Sequence, residues 1–290
     1  MCYLCQLKSQ HIFATPQPPG PVWSARRAFL LAGSAAAVGA SADALAQVDV
    51  GQASSMRKLV PAAELEGAAR DQYSQMMAQA RKSNALVPDH NPQVQRLRQM
   101  ARRLIPHAAS WNERAKSWQW EVNLIASDEI NAFCMPGGKI AFYTGILQKL
   151  RLEDDEAAMI MGHEMAHALR EHARERLAKT QATGMGLSVL SSLLGLGQLG
   201  DVAASLGTQL LSLRFSREDE AEADLVGLEL PARSDYKPQA SVSLWQKMAA
   251  QNGKSGLSFL STHPSGPDRI KDLQANLPKV QGLYEAARRG

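Results

Sequence analysis

The chain has 290 residues, a hydrophobic content of 45% and a formal net charge of +4. This length holds one or two domains, and the hydrophobic content is that of an ordinary globular protein. Half of the excess positive charge lies in the first 46 residues, so the remainder is close to neutral. Because the sequence also lacks a basic patch with interleaved aromatic residues, its composition excludes nucleic acid as a partner.

A leader is predicted for residues 1–46. The string SARRAFLLAGSAAAVGASADALA at 24–46 begins with Arg26 and Arg27, continues as an uncharged, mildly apolar stretch, and ends in an A-x-A cleavage pattern. This order is typical of a secretory signal peptide, and the stretch is too short and too rich in alanine and glycine to span a membrane well. The paired arginines fit a twin-arginine signal, with a Sec signal as the alternative. We therefore expect a periplasmic protein.

Residues 47–290 are predicted to form a single domain that is mainly α-helical, with a small antiparallel β-sheet (an α+β fold). Pro61 opens a helical segment that runs to about Lys82, and Pro92 opens a second one that ends near Leu104. Strand-type alternation follows in WQWEVNLIAS at 118–127. A short strand, a Pro-Gly-Gly turn and the strand KIAFYT at 139–144 complete the sheet.

The string AMIMGHEMAHALREHARER at 158–176 holds the pattern H-E-x-x-H. Positions four apart share one face of a helix, so His163 and His167 can offer two imidazoles to one zinc ion. Glu164 can then act as the general base toward a water on the zinc. The alternative is an amphipathic helix with surface histidines, but the apolar neighbours predict a core helix, in which imidazoles need partners. His172 is about 140° from His167 on a continuous helix, so we interpret it as a capping or surface residue.

A third protein ligand is expected for catalytic zinc, and LRFSREDEAEADLVGLEL at 213–230 supplies candidates. A solvated acidic helix face is the alternative interpretation of such a run. Glu220 and Asp224 are four residues apart, with the small residues Ala221 and Ala223 between them. This spacing allows one acid to bind the metal while the next accepts the spare N–H of a ligand histidine.

HEMAH and SREDEAEAD together resemble the gluzincin family of HtpX, the CAAX prenyl proteases and the BepA and LoiP type of periplasmic peptidase. INAFCMPGGKIAFYTGIL at 130–147 and STHPSGPDRI at 261–270 are similar to two further motifs of that family. The resemblance implies a gluzincin-type fold, Glu220 as the third zinc ligand and Asp224 as its supporting residue. It also places His263 near the metal, where it is either an oxyanion donor or a fourth ligand that closes the site. A helix-start histidine is the remaining alternative.

An uncharged stretch precedes Asp201, and its continuation to Leu213 is largely apolar. One membrane crossing would separate His163 and His167 from Glu220, and a returning span would need about 20 apolar residues. We therefore predict for 184–213 a helical hairpin that packs in the core or touches a membrane surface or a substrate.

The predicted function is that of a zinc endopeptidase, with one zinc ion per chain, that hydrolyses unfolded or misassembled proteins of the bacterial envelope in protein quality control. In the family that the chain resembles, the edge of the small sheet pairs with extended substrate. The resemblance therefore implies broad specificity. A chaperone-like binding module for outer-membrane proteins with little turnover is the alternative. A zinc hydrolase that acts on a non-peptide bond is a third possibility.

Overall fold

The computed structural model describes residues 47–182, 210, 213–251, 259–264 and 268–290. The predicted leader and most of the predicted hairpin at 184–213 lie outside these residues, so both stay predictions. Residues Gln47–Gly290 group into one compact unit. Its α-helices in the described ranges are α1 (Ala62–Lys82), α2 (Pro92–Leu104), α3 (Thr144–Lys149), α4 (Asp154–Leu169), α5 (His172–Ala182), α6 (Arg217–Arg233), α7 (Ala240–Ala250), α8 (Phe259–Thr262) and α9 (Arg269–Ala287).

A three-stranded sheet of β1 (Glu121–Ile125), β2 (Ala132–Met135) and β3 (Lys139–Tyr143) follows α2. Its order is β1-β3-β2, with β2 antiparallel to β3 and β1 parallel to it. The prediction of an antiparallel sheet was therefore wrong for one of the two pairs. The reason is that β3 is buried over Lys139–Phe142 and takes the central position, so β1 pairs with it and not with its sequence neighbour β2. As a result, β2 is left at the edge of the sheet.

Helix α4 carries H-E-x-x-H through the middle of the core. Its start is fixed by a capping box in which the side chains of Glu153 and Glu156 each bond the other residue's backbone N–H. Acids in this first turn also interact favourably with the positive end of the helix dipole. From Glu156 to Leu169 every residue is buried, as the apolar sequence predicted. The helix packs against α6 on one side and against β2 on another.

Helix α6 begins at a second capping box, formed by Ser216 and Asp219. The two core helices cross at a pair of glycines, because a Cβ on Gly162 would lie 2.8 Å from the carbonyl oxygen of Gly227. A Cβ on Gly227 would lie 2.7 Å from both the Cα and the backbone N of His163. This backbone approach places the third turn of α4 directly against α6. Of the two alanines between Glu220 and Asp224, Ala221 is exposed and Ala223 is fully buried.

Replacing Gly227→Ala should lower the free energy of unfolding by about 1–3 kcal/mol, because α4 and α6 must separate to admit the methyl group. Gly67→Ala is the matched control, since its added Cβ would meet only Arg70 Nη2, at 3.9 Å. That change should raise the free energy of unfolding by about 0.5–1 kcal/mol, because alanine is the better helix former. Urea unfolding of both variants measures the difference, and equal stabilities would contradict the close crossing.

Across the described ranges, none of the helices combines the length and the apolar character that a membrane crossing requires.

Candidate metal centre

Two imidazoles of α4 face each other one helical turn apart. The Nε2 atoms of His163 and His167 lie 3.1 Å from each other, and both side chains are almost fully buried. Helix α6 brings Glu220 against them, with Oε2 3.4 Å from His163 Nε2 and Oε1 3.4 Å from His167 Nε2. The structure thus unites the three residues that the sequence predicted as zinc ligands.

His263, which follows α8, is the fourth member of this cluster. Its Nδ1 lies 3.0 Å from Glu220 Oε1 and 3.4 Å from His163 Nε2. The imidazole stacks on the ring of Phe259 with centroids 4.3 Å apart. The backbone N–H of His263 donates to the backbone carbonyl of Phe259. The predicted position near the other three residues is therefore observed, while its role stays a prediction.

The four side chains fit a divalent metal ion. One ligand atom from each lies within 4.8 Å of all the others. Zinc bonds of about 2.0–2.1 Å in a tetrahedron place ligand atoms about 3.3–3.4 Å apart. The separations of 3.0–3.4 Å between these nitrogen and oxygen atoms are close to that value. Three imidazoles and a carboxylate are also ligands that zinc accepts.

The charge states of the cluster suit a cation. Burial alone would raise the pKa of Glu220, but hydrogen bonds from the three histidines hold it far below its ordinary value. Burial lowers the pKa of His167 well below its ordinary value. Burial also acts to lower the pKa of His163, but hydrogen bonds with Asp224 and Glu220 outweigh it and raise that pKa to about 9. An ionised Glu220 and a neutral His167 are the forms that bind a metal, and metal binding at His163 would release its proton.

Asp224 supports His163, as the sequence predicted. Its Oδ1 lies 3.1 Å from His163 Nδ1, the ring nitrogen that points away from the cluster. Arg269, at the start of α9, donates to Asp224 Oδ1 at 2.6 Å and to Glu220 Oε2 at 2.8 Å. Its guanidinium also lies 3.3 Å above the ring of Trp245. Helix α9 is thereby tied to the acids of α6.

The sequence predicted His172 as a capping or surface residue, but the structure buries it beside the cluster. It is 1% exposed, and its Nδ1 lies 2.9 Å from His167 Nδ1. The prediction assumed one continuous helix, but α4 ends at Leu169 and Glu171 takes a left-handed conformation with φ of 60°. The chain then starts α5 in a new direction, which returns His172 to the site.

Glu164 lies on the side of the cluster that faces a cleft. Among the described residues, its Oε1 has no hydrogen-bond partner although it is buried, and His263 Nε2 lies 3.6 Å from it. Burial raises the pKa of this carboxyl above its ordinary value. An unpaired buried carboxylate is costly, which is typical of a group kept ready to exchange a proton.

The cleft beside Glu164 has a volume of about 250 Å³. One wall is the β2 strand, and the others carry His167, His263 and an apolar set. That apolar set comprises Ala168, Ala173, Leu210, Leu213 and Phe215. An extended polypeptide that lies along β2 would therefore pass Glu164, His167 and His263.

Sequence reasoning missed two residues of this centre besides His172. Glu222 is the acid that contacts His172, with Oε2 3.3 Å from His172 Nε2. Its position between the two assigned acids of α6 gave no signal that separated it from a solvated helix face. Phe215 stacks on His167 with ring centroids 3.9 Å apart. It precedes the SREDEAEAD motif, and only the three-dimensional arrangement reveals its role as a wall of the site.

A family model described as Peptidase family M48 matches residues 91–277, which is more than half of the chain. The chain belongs to peptidase family M48. The match contains every residue of the centre described above, from β2 to Arg269. M48 peptidases are metal-dependent, and the gluzincin resemblance, the mainly helical fold class and the metallopeptidase class are confirmed by this membership.

Relatives of this M48 chain include metalloendopeptidases from several organisms. The mitochondrial metalloendopeptidase OMA1 of Schizosaccharomyces pombe is 35% identical over 222 residues, covering 76% of this chain and 63% of that protein. OMA1 of Homo sapiens is 29% identical, covering 57% of this chain and 34% of that protein. The beta-barrel assembly-enhancing protease of Escherichia coli is 28% identical, covering 62% of this chain and 38% of that protein. The chain thus spans between a third and two thirds of the length of these relatives.

The predicted periplasmic location is wrong by this comparison. Six M48 relatives, from yeasts, a plant and vertebrates, are named as mitochondrial enzymes, and the S. pombe protein covers more of this chain than the E. coli protein does. The prediction depended on residues 24–46, which precede the matched M48 region.

Proposed function

We propose that this M48 chain is a zinc-dependent endopeptidase that hydrolyses unfolded or misassembled polypeptides in protein quality control. The observation that carries the proposal is a set of four buried donor atoms within 4.8 Å of one another, beside a cleft lined by Glu164, whose buried Oε1 has no hydrogen-bond partner among the described residues. Metal-ligating groups, a proton carrier and a substrate-sized cleft are the parts that metal-assisted hydrolysis requires.

His163, His167 and Glu220 would hold the ion, as the motif match implies. Bound there, a zinc ion would supply Lewis-acid activation of water and of the scissile carbonyl. Glu164 accepts the proton of the attacking water and passes it to the leaving amine. Its raised pKa makes it a stronger base toward the attacking water, and its protonated form still donates readily because the leaving amine is far more basic than a carboxylate.

The choice of substrate follows from the β2 edge. Within the described ranges this strand pairs with β3 alone, and its residues line the cleft. An extended substrate can add a further strand there through main-chain hydrogen bonds, which any sequence is able to form. Folded proteins keep their backbone paired, so this mode of binding selects unfolded segments without a strict sequence preference.

The test combines metal analysis with a hydrolysis assay on the purified chain. We expect about one zinc per chain, cleavage of an unfolded substrate such as reduced casein, and resistance of a stably folded protein. Removing the metal with a chelator should abolish cleavage, and adding zinc back should restore it. Binding of casein without cleavage by the zinc-loaded chain would favour the chaperone-like alternative. Hydrolysis of small esters or amides but not of peptides would favour a different hydrolase.

A further inference from the structure

The two histidines of H-E-x-x-H have different partners at the ring nitrogens that point away from the cluster. His163 has a carboxylate there, Asp224. His167 has a third imidazole, His172, at 2.9 Å between the two Nδ1 atoms. Nothing in the M48 motif H-E-x-x-H or in the acidic motif of α6 assigns a task to His172.

The protons of this contact can be placed by elimination. His167 Nε2 lies 3.4 Å from Glu220 Oε1, so it is the nitrogen that a metal would take, and the ring proton must be on Nδ1. That N–H donates to His172 Nδ1, which leaves the proton of His172 on Nε2. The Nε2–H in turn points at Glu222 Oε2, 3.3 Å away. Each N–H in the hydrogen-bonded chain His167–His172–Glu222 thus meets an acceptor, and one tautomer of each imidazole forms both hydrogen bonds.

Glu222 is held in place and ionised at the outer end of this hydrogen-bonded chain. Arg170 Nε donates to its Oε2 at 2.8 Å, and Arg170 Nη2 donates to the carbonyl of Gly51 at 3.0 Å. Burial by itself would raise the pKa of Glu222, but hydrogen bonds from His172 and Arg170 outweigh it and lower that pKa. The break between α4 and α5 brings Arg170 and His172 to the same carboxylate from either side of Glu171.

We propose that His172, oriented by Glu222, is a positioning residue that fixes the ring of His167 and strengthens its bond to the metal. This inference rests on the proposed function of the same site. A partner that accepts the N–H of a ligand imidazole sets its tautomer and orientation and makes it a stronger donor, and loss of such a partner typically weakens metal binding about 10–100-fold. His172 and Glu222 together do for His167 what Asp224 does for His163.

Two substitutions of His172 separate the hydrogen bond from mere packing. His172→Asn places an amide oxygen near the position of Nδ1 and can still accept from His167. His172→Leu fills the apolar volume but leaves the N–H of His167 unpaired and buried, which is unfavourable. If His172 acts by its hydrogen bond, asparagine preserves zinc affinity and leucine reduces it. If His172 only packs, the order is the reverse, since leucine is the better buried filler.

The measurement is the zinc dissociation constant of each purified variant, from competition with a chromogenic chelator. We expect a dissociation constant about 10–100-fold higher for His172→Leu, a value near wild type for His172→Asn, and an intermediate one for Glu222→Gln. His90→Leu and Glu218→Gln are matched controls at exposed positions and should leave the value unchanged. Circular dichroism of each metal-free variant checks that it is folded before the comparison.

The outcomes for the two proposals are distinct. A folded wild-type chain that binds no zinc would overturn the proposed function itself. A wild-type chain that binds zinc, with His172→Leu binding as tightly as wild type or more tightly than His172→Asn, would overturn only the positioning role.

Discussion

Glu164→Gln should lower the rate of peptide hydrolysis by about a hundredfold to ten-thousandfold, which is the range that general acid–base catalysis contributes. Glutamine keeps the shape of the side chain but neither takes a proton from water nor returns one to the leaving amine. The three proposed ligands are unchanged, so zinc content should stay at the wild-type level. The same change also removes an unpaired buried carboxylate, so the metal-free variant should be no less stable than wild type.

The assay for this variant is initial cleavage of an unfolded substrate under saturating zinc, together with metal analysis of the same sample. Glu218→Gln is the matched control, because it makes the same chemical change at an exposed position two residues before Glu220. Wild-type cleavage by Glu164→Gln would show that another group carries the proton. Loss of zinc along with activity would instead assign Glu164 to metal binding.

The core of the site could be predicted from sequence because its geometry is local. Four-residue spacing puts His163 and His167 on one face of any α-helix, and the acids at 153–156 and 218–220 mark two helix starts. The same spacing predicted the pairing of Asp224 with a ligand histidine. The assignment of Glu220 to the same metal site as the histidines of α4, however, links residues far apart in the sequence. It came from the resemblance, and the physical reason for it, the Gly162 and Gly227 crossing, was visible only in the structure.

The errors arose where the chain departs from a regular local pattern. The strands were found by their alternation, but alternation does not name a partner, so the parallel pairing of β1 with β3 was missed. His172 was misplaced because α4 ends just before Arg170 and Glu171, and neither is a glycine or a proline, the residues that commonly indicate a helix end in a sequence. A left-handed Glu171 is unfavourable locally. Its carboxylate forms a tertiary ion pair with Arg57 and a local one with Arg174, three residues along the chain, and these contacts help to maintain this conformation.

The location was mispredicted for a related reason. The periplasmic prediction depended on two arginines and an uncharged stretch rich in alanine and glycine, and targeting signals of different compartments overlap in such composition. The M48 region, in contrast, is constrained by the site that it builds, and the comparison with known proteins confirmed its family, its mainly helical fold class and its metallopeptidase class.

The second large effect is expected at His263. Its Nδ1 faces Glu220 and His163 at separations that suit a fourth ligand, while its Nε2 faces Glu164. A fourth protein ligand would occupy the position that catalysis needs open, so hydrolysis would require His263 to move away. If the open form is about 1–10% of the population, His263→Ala should raise basal cleavage about 10–100-fold, since the variant is always open.

The alternative role of His263 predicts the opposite change in the rate of hydrolysis. An oxyanion donor would make the same variant slower by about a hundredfold or more, because a hydrogen bond to the transition state is lost. The measurement is the initial rate on unfolded substrate at saturating zinc, with His90→Ala as the matched control at an exposed histidine. Zinc affinity gives an independent check: loss of a fourth ligand weakens metal binding, whereas loss of an oxyanion donor leaves it unchanged. An unchanged rate with unchanged zinc affinity would contradict both roles and leave His263 to its stacking on Phe259.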